Sequence, residues 1–112
     1  AIFPEARFIY LHRNGLEVAS SIQKKADVRP WFGKQNQKWE MLLALGKNTV
    51  TDLPKREFSN FEKGLLEWRL SIDASEAFFS KLPLEKFYSL SYQSFVEKPA
   101  QQLKAIYQFL NL

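Results

Sequence analysis

The feature that most constrains the fold is a short run at residues 7–12, RFIYLH, which carries apolar side chains on both faces of a strand. Such continuous apolar content is typical of a strand in a parallel sheet that is covered on both sides. A second buried strand is predicted at residues 86–92, KFYSLSY. Two strands do not make a stable isolated sheet, so the sequence indicates part of a larger α/β domain.

Three helices are predicted between these strands, over residues 16–24, 35–45 and 59–82, with a loop at 26–33. Gly46 is expected to end the second helix, and Ser59 with Glu62 fits a capping box that begins the third. A final helix is expected to begin at Pro99. The third helix has an apolar stripe that predicts its core face: Phe58, Phe61, Leu65, Trp68, Ile72, Ser75 and Phe79.

Composition excludes several classes of protein. The chain has 112 residues, no cysteine and one histidine, which excludes a disulfide scaffold, thiol chemistry and a His-rich metal site. The absence of cysteine fits a reducing compartment, and we expect a cytoplasmic protein without a membrane segment. The net charge is +4, of which residues 13–56 contribute +5 and the remainder −1. This favours an anionic partner near the first turn, and the alternative is a solvated basic face.

The first strand ends in Arg13, and Ser21 follows eight residues later on the next helix. Ligands of parallel sheets bind beyond the carboxyl ends of the strands, where a helix N-terminus also attracts anions. A guanidinium, a hydroxyl and helix amides together could bind a phosphate. The alternative from pattern alone is that Arg13 pairs with Glu17 and that Ser21 is an ordinary surface serine.

The segment FPEARFIYLHRNGLEVASSI, residues 3–22, resembles the 3′-phosphate-binding segment of the sulfotransferases that use 3′-phosphoadenosine 5′-phosphosulfate (PAPS). Their pattern is a strand followed by Arg-Asp-Pro-x-Asp-Val-x-x-Ser, and the interval from Arg13 to Ser21 is kept. The segment SLSYQSFVEKPAQQLKAIYQFLNL, residues 89–112, is similar to the family's strand-Tyr-Glu-Asp-Leu segment and its amphipathic helix. The middle, residues 26–82, carries no diagnostic match.

The resemblance implies that Arg13 and Ser21 bind the 3′-phosphate and that Tyr92 lies against the adenosine. An alternative for Tyr92 is a core aromatic at a strand end. The resemblance further implies an α/β fold, with residues 1–112 the C-terminal portion of a single P-loop-type, three-layer domain with a parallel sheet. Two strands and about four helices are expected here, without the phosphate-loop strand that in this family lies between the two strands. The activity implied is sulfuryl transfer from PAPS, without a metal, to an acceptor hydroxyl or amine.

Several residues depart from the family pattern. Asn14 and Gly15 replace Asp and Pro, although Asn still caps a helix and Gly still turns. Gln93 and Ser94 replace Glu and Asp after the tyrosine. The Lys-x-Gly-Thr phosphate loop and the catalytic base are not identifiable, His12 is interpreted as structural, and the 112 residues alone are expected to be inactive.

Two other functions stay open. The first is a non-catalytic module that binds a nucleotide or another phosphorylated ligand. The second is nucleic-acid binding, because Trp31, Phe32 and Trp39 lie among lysines and an arginine, and such aromatics can stack on bases. Nucleic acid is the least favoured partner, since Trp39 with Leu42 and Leu43 is expected to face the core. The pattern does not indicate the acceptor or the oligomeric state.

Overall fold

A computed structural model describes residues 3–49, 53 and 55–112. In these residues the secondary structure consists of two strands and five α-helices. Their order is β1 (Phe8–His12), α1 (Gly15–Val28), α2 (Gln37–Thr49), α3 (Asn60–Phe79), β2 (Phe87–Ser91), α4 (Tyr92–Glu97) and α5 (Pro99–Leu110), with short 3₁₀ turns at Lys34–Asn36 and Leu84–Lys86. The chain forms two compact units, one from residues 3–13 and 75–112 and the other from residues 14–74.

The first unit contains the sheet, in which β1 and β2 pair side by side and run parallel, with Phe8 opposite Phe87 and His12 opposite Ser91. The predicted parallel orientation and the α/β class are therefore confirmed. The two strands are direct neighbours here, whereas in the family that the sequence resembles the phosphate-loop strand lies between them. Leu90 is buried in β2.

Aromatic rings from the end of α3 cover one face of this sheet. Phe79 stacks on Tyr10 with ring centroids 4.8 Å apart and lies 5.2 Å from the ring of Phe87. Phe78 meets Phe8 edge to face at 5.3 Å. Phe8 and Tyr10 alternate with Ile9 and Leu11 along the strand. Ile9 and Leu11 are 41% and 54% exposed, so the described residues do not supply the cover that was expected on both sides of β1.

The second unit has a helical core. Phe32, Trp39 and Leu66 are buried together, and partly buried apolar side chains pack around them: Ile22, Ala26, Leu42, Leu43, Leu53, Phe58 and Leu70. The inward orientation predicted for Trp39, Leu42 and Leu43 is thus confirmed. The stripe predicted on α3 is only part of its packing surface, because Leu66 and Leu70 lie in this core and were not in the stripe.

Glycines allow α1 and α3 to approach each other closely. A Cβ added to Gly64 of α3 would lie 3.1 Å from the carbonyl oxygen of Ala19 and 3.0 Å from the Cβ of Ile22, both in α1. A Cβ added to Gly15 would lie only 2.7 Å from the Trp68 ring. Ala19 is fully buried, so this contact between the two helices is tightly packed.

The observed helix boundaries differ from three of the predicted ones. Helix α1 continues through residues 25–28, so the loop predicted at 26–33 begins later than expected. The helix ends where Arg29, the residue before Pro30, becomes extended. Helix α2 begins at Gln37 after a 3₁₀ turn and continues past Gly46, since an isolated glycine weakens a helix without ending it. Helix α3 ends at Phe79 rather than at Leu82, so Pro83 lies beyond a short turn.

The predicted capping box begins α3 as expected. The Ser59 hydroxyl accepts from the Glu62 N–H at 3.2 Å, and the Glu62 carboxylate accepts from the Ser59 N–H at 3.0 Å. Arg56 forms a salt bridge with the same carboxylate. The Arg56 hydrogen bond, with the backbone bond from Ser59, lowers the pKa of Glu62 to about 2. The final helix begins at Pro99, which confirms that prediction.

Candidate functional site

The carboxyl ends of the two strands lie together at one edge of the sheet. Because β1 and β2 are parallel and His12 pairs with Ser91, the next residue of each strand, Arg13 and Tyr92, leaves the sheet at this same edge. The carboxyl edge is where parallel sheets bind their ligands. The fold thus juxtaposes two residues that lie 79 positions apart in the sequence.

Arg13 and Tyr92 are in direct contact at this edge. The Arg13 Cζ lies 4.4 Å from the centroid of the Tyr92 ring, which is a cation–π geometry. Tyr92 is 37% exposed among the described residues. A guanidinium can contact a ring through its face while its in-plane N–H donors bind phosphate oxygens. The arrangement therefore combines an anion-binding group with an aromatic surface.

The backbone at Tyr92 is fixed by a serine cap that the sequence reasoning missed. The Ser91 hydroxyl accepts from the Ser94 N–H at 3.1 Å and lies 2.8 Å from the Ser94 hydroxyl. Tyr92, which the predicted strand at residues 86–92 included, is consequently the first residue of α4 instead. Two serines three positions apart at the end of a strand were the available signal for this helix.

Asn14 begins α1 in the manner predicted. Its side-chain oxygen accepts from the Leu16 N–H at 2.8 Å and from the Glu17 N–H at 3.3 Å. Asn therefore performs the capping role at the position where the family pattern has Asp. These two amides are already bonded to Asn14, so the expectation that helix amides contribute to a phosphate site does not extend to them.

Ser21 lies in the second turn of α1 with its side chain exposed, on the face opposite to the fully buried Ala19. It belongs to the 14–74 unit, whereas Arg13 and Tyr92 belong to the sheet unit. Its convergence with Arg13 on one phosphate stays a prediction. His12, which we interpreted as structural, lies within β1 with its ring centroid 5.3 Å from that of Tyr10.

The aromatics that suggested nucleic-acid binding have divided roles. Phe32 and Trp39 are 4% and 6% exposed and belong to the core of the helical unit. Trp31 is 38% exposed, and the Nζ atoms of Lys25 and Lys38 lie 5.0 and 4.7 Å from its ring centroid. Two of the three rings are therefore not available to stack on bases.

The described part of the chain offers neither a metal cluster nor a membrane-spanning helix. Among those residues no cluster of three or more His, Cys, Asp or Glu side chains could hold a metal ion. None of the helices in the same residues combines the length and the apolar content needed to cross a bilayer.

Comparisons with known proteins give one positive finding. The model of a family described as the sulfotransferase family matches residues 1–112, the whole of the sequence. Neither a curated protein nor a solved structure matches the chain at a significant level. The match includes both segments whose residues meet at the carboxyl edge of the sheet.

Proposed function

The chain belongs to the sulfotransferase family, and from this premise we propose that its carboxyl edge binds the nucleotide of PAPS. Arg13 and Ser21 bind the 3′-phosphate, and Tyr92 lies against the adenosine. The complete protein then transfers the sulfuryl group to an acceptor hydroxyl or amine. In that reaction the acceptor oxygen or nitrogen bonds to sulfur, the bond from sulfur to the phosphate oxygen breaks, and the acceptor proton passes to a base.

The observation that carries the proposal is the contact between Arg13 and Tyr92, at 4.4 Å, where both parallel strands end. A 3′-phosphorylated adenosine presents a dianionic group and an aromatic ring close to each other. A guanidinium and an exposed phenol ring match these two chemistries. The role of these residues is to anchor the nucleotide, so that binding energy from this remote end orients the reacting sulfur.

The domain and its location belong to the same proposal. Residues 1–112 are the C-terminal portion of one P-loop-type domain, which the parallel pairing of β1 and β2 supports. A cytoplasmic protein is supported by the absence of cysteine from the sequence.

The test is calorimetric titration of the complete protein with 3′-phosphoadenosine 5′-phosphate (PAP) and with AMP, which lacks the 3′-phosphate. A charge-assisted hydrogen bond contributes about 1.5–3 kcal/mol, so Arg13→Ala is expected to weaken PAP binding by about tenfold or more. Ser21→Ala should cost less, about 0.5–1.5 kcal/mol, because the hydroxyl is neutral. AMP affinity should change little in either variant.

Arg7→Ala is the matched control, because Arg7 lies at the opposite end of the β1 segment and its Cζ is 5.9 Å from the Phe109 ring centroid. It removes the same charge next to an aromatic ring, and PAP affinity should stay at the wild-type value. Equal binding of PAP and AMP, or no loss in Arg13→Ala, would contradict the assignment. Nucleotide binding without sulfuryl transfer from PAPS to any hydroxyl or amine acceptor would favour the non-catalytic binding module.

A further inference from the structure

A groove with apolar walls lies at the end of α1, in the 14–74 unit, and its lining includes none of the residues proposed to hold the nucleotide. Its volume is about 630 Å³, which is within the range of about 300–1,000 Å³ found for small-molecule sites. Its walls are formed mainly by Val28, Pro30 and Trp31, and its rim carries Lys24, Lys25 and Arg29. Val28 is 78% exposed, so an apolar surface stands open to solvent beside three cations.

The aromatic wall of this groove is held in place by polar contacts. The indole N–H of Trp31 donates to the Glu67 carboxylate at 3.4 Å, and the same carboxylate forms a salt bridge of 2.6 Å with Lys38. Pro30 restricts the backbone just before Trp31. The backbone N–H of Trp31 also donates to the Arg29 carbonyl at 2.7 Å. A ring that is fixed before a ligand arrives loses little conformational entropy on binding.

The positive charge at the rim is not neutralised by the neighbouring acids. Asp27 accepts from the Asn60 side chain at 2.8 Å, and Glu67 is paired with Lys38. Within the described residues, Lys24 and Arg29 form no salt bridge, and Lys25 lies against the indole. The groove thus presents an apolar surface next to unneutralised positive charge, and a complementary ligand would be apolar in its body and anionic at one end.

We propose that this groove binds a monomeric amphiphilic organic anion, with its apolar or aromatic body against Trp31 and Val28 and its anionic group at Lys24 and Arg29. The proposal rests on groove shape and charge complementarity, and it does not depend on the nucleotide site. A free anion lacks the apolar body, and a neutral hydrocarbon lacks the charge, so each should bind more weakly than a molecule that combines them.

Naphthalene-2-sulfonate is a suitable probe, with 2-naphthalenemethanol and methanesulfonate as the neutral and the non-aromatic counterparts. In titrations of the complete protein, followed by calorimetry, the sulfonate should bind at least about tenfold more tightly than either counterpart, and its affinity should fall as salt is raised. Trp31→Ala should weaken its binding by about tenfold, because the aromatic contact is lost. Arg29→Glu should also weaken the binding of the sulfonate by about tenfold, because it reverses a charge at the rim. Arg29 is exposed and not part of the core, so the substitution should not disturb the fold.

Lys47→Glu makes the same charge change at an exposed position of α2 that does not line the groove, and it should keep the wild-type affinity. Arg13→Ala should also leave probe binding unchanged, which separates this site from the nucleotide site. Equal affinity for 2-naphthalenemethanol, or an unchanged affinity in both Trp31→Ala and Arg29→Glu, would overturn the proposal. Binding to vesicles of anionic phospholipid but not to the monomeric sulfonate would also overturn it, in favour of a membrane surface.

Discussion

The contact between Arg13 and Tyr92 becomes apparent only when the register of the two parallel strands is known. In the sequence, an arginine after a strand is a weak signal, and Tyr92 could have been a core residue. The pairing of His12 with Ser91 gives both positions a common location at the carboxyl edge, because a parallel register carries over to the next residue of each strand. Each of the two segments could be predicted alone, but their contact could not, since it depends on long-range pairing.

Glu62 provides a prediction about pH at the same scale. Its pKa is about 2 in the folded chain, below the ordinary value of 4.5, because Arg56 and the Ser59 amide stabilise the carboxylate. A lowered folded-state pKa stabilises the protein above the unfolded-state pKa, and this contribution is lost as the pH falls toward the folded-state value. Wild type should therefore melt at a higher temperature than Glu62→Gln at pH 7, and the difference should shrink between about pH 5 and pH 2.

Thermal unfolding followed by circular dichroism measures this difference. The glutamine can still accept from the Ser59 N–H, so the variant removes the charge and keeps the capping box. Glu40→Gln is the control, because Glu40 is an exposed carboxylate in the first turn of α2. A melting difference that stays constant across this pH range would show that the negative charge of Glu62 does not stabilise the folded chain, and it would contradict the prediction.

At the scale of the elements, the contact between α1 and α3 explains why glycine stands at position 15, where the family pattern has proline. Proline is favoured at the first position of a helix, so the substitution by itself should be acceptable. A Cβ at this position would lie 2.7 Å from the Trp68 ring, however, so the tryptophan occupies the space that proline would need. The sequence shows that glycine replaces proline at this position, but only the packing against Trp68 explains the replacement.

Gly15→Pro is accordingly expected to destabilise the chain by about 1–3 kcal/mol, which is typical of overpacking a filled site. In a Trp68→Leu background the same substitution should cost much less, since the ring that clashes is gone. Urea denaturation of the two single variants and the double variant gives the coupling free energy. An equal cost in both backgrounds would assign the effect to the backbone of the turn instead.

At the scale of the whole chain, local signals predicted the order of the elements except for α4, a fifth α-helix where about four helices were expected. The strands, the capping box at Ser59 and the start of α5 at Pro99 were recovered because each depends on neighbours in sequence. Two features were harder to predict because tertiary packing decides them. Helix α2 continues through Gly46, and Leu66 is buried in the core. The groove at Trp31 was visible only as a mixture of basic and aromatic residues, and that mixture does not reveal which rings are buried.

Nucleotide binding should raise the stability of the whole molecule and protect its binding edge in particular. A ligand that binds only the folded state at a free concentration of 100 times its Kd raises the free energy of unfolding by about 2.7 kcal/mol. If PAP binds at the carboxyl edge, amide hydrogen exchange should slow most in residues 12–14 and 91–94, while residues of α5 far from that edge respond mainly through global stabilisation. Mass spectrometry of the complete protein with and without PAP measures both effects. AMP should protect the same segments less at equal concentration, and Arg13→Ala should reduce the difference between the two nucleotides. Protection confined to residues 24–31 would instead show that PAP occupies the apolar groove, and the nucleotide assignment at Arg13 and Tyr92 would be wrong.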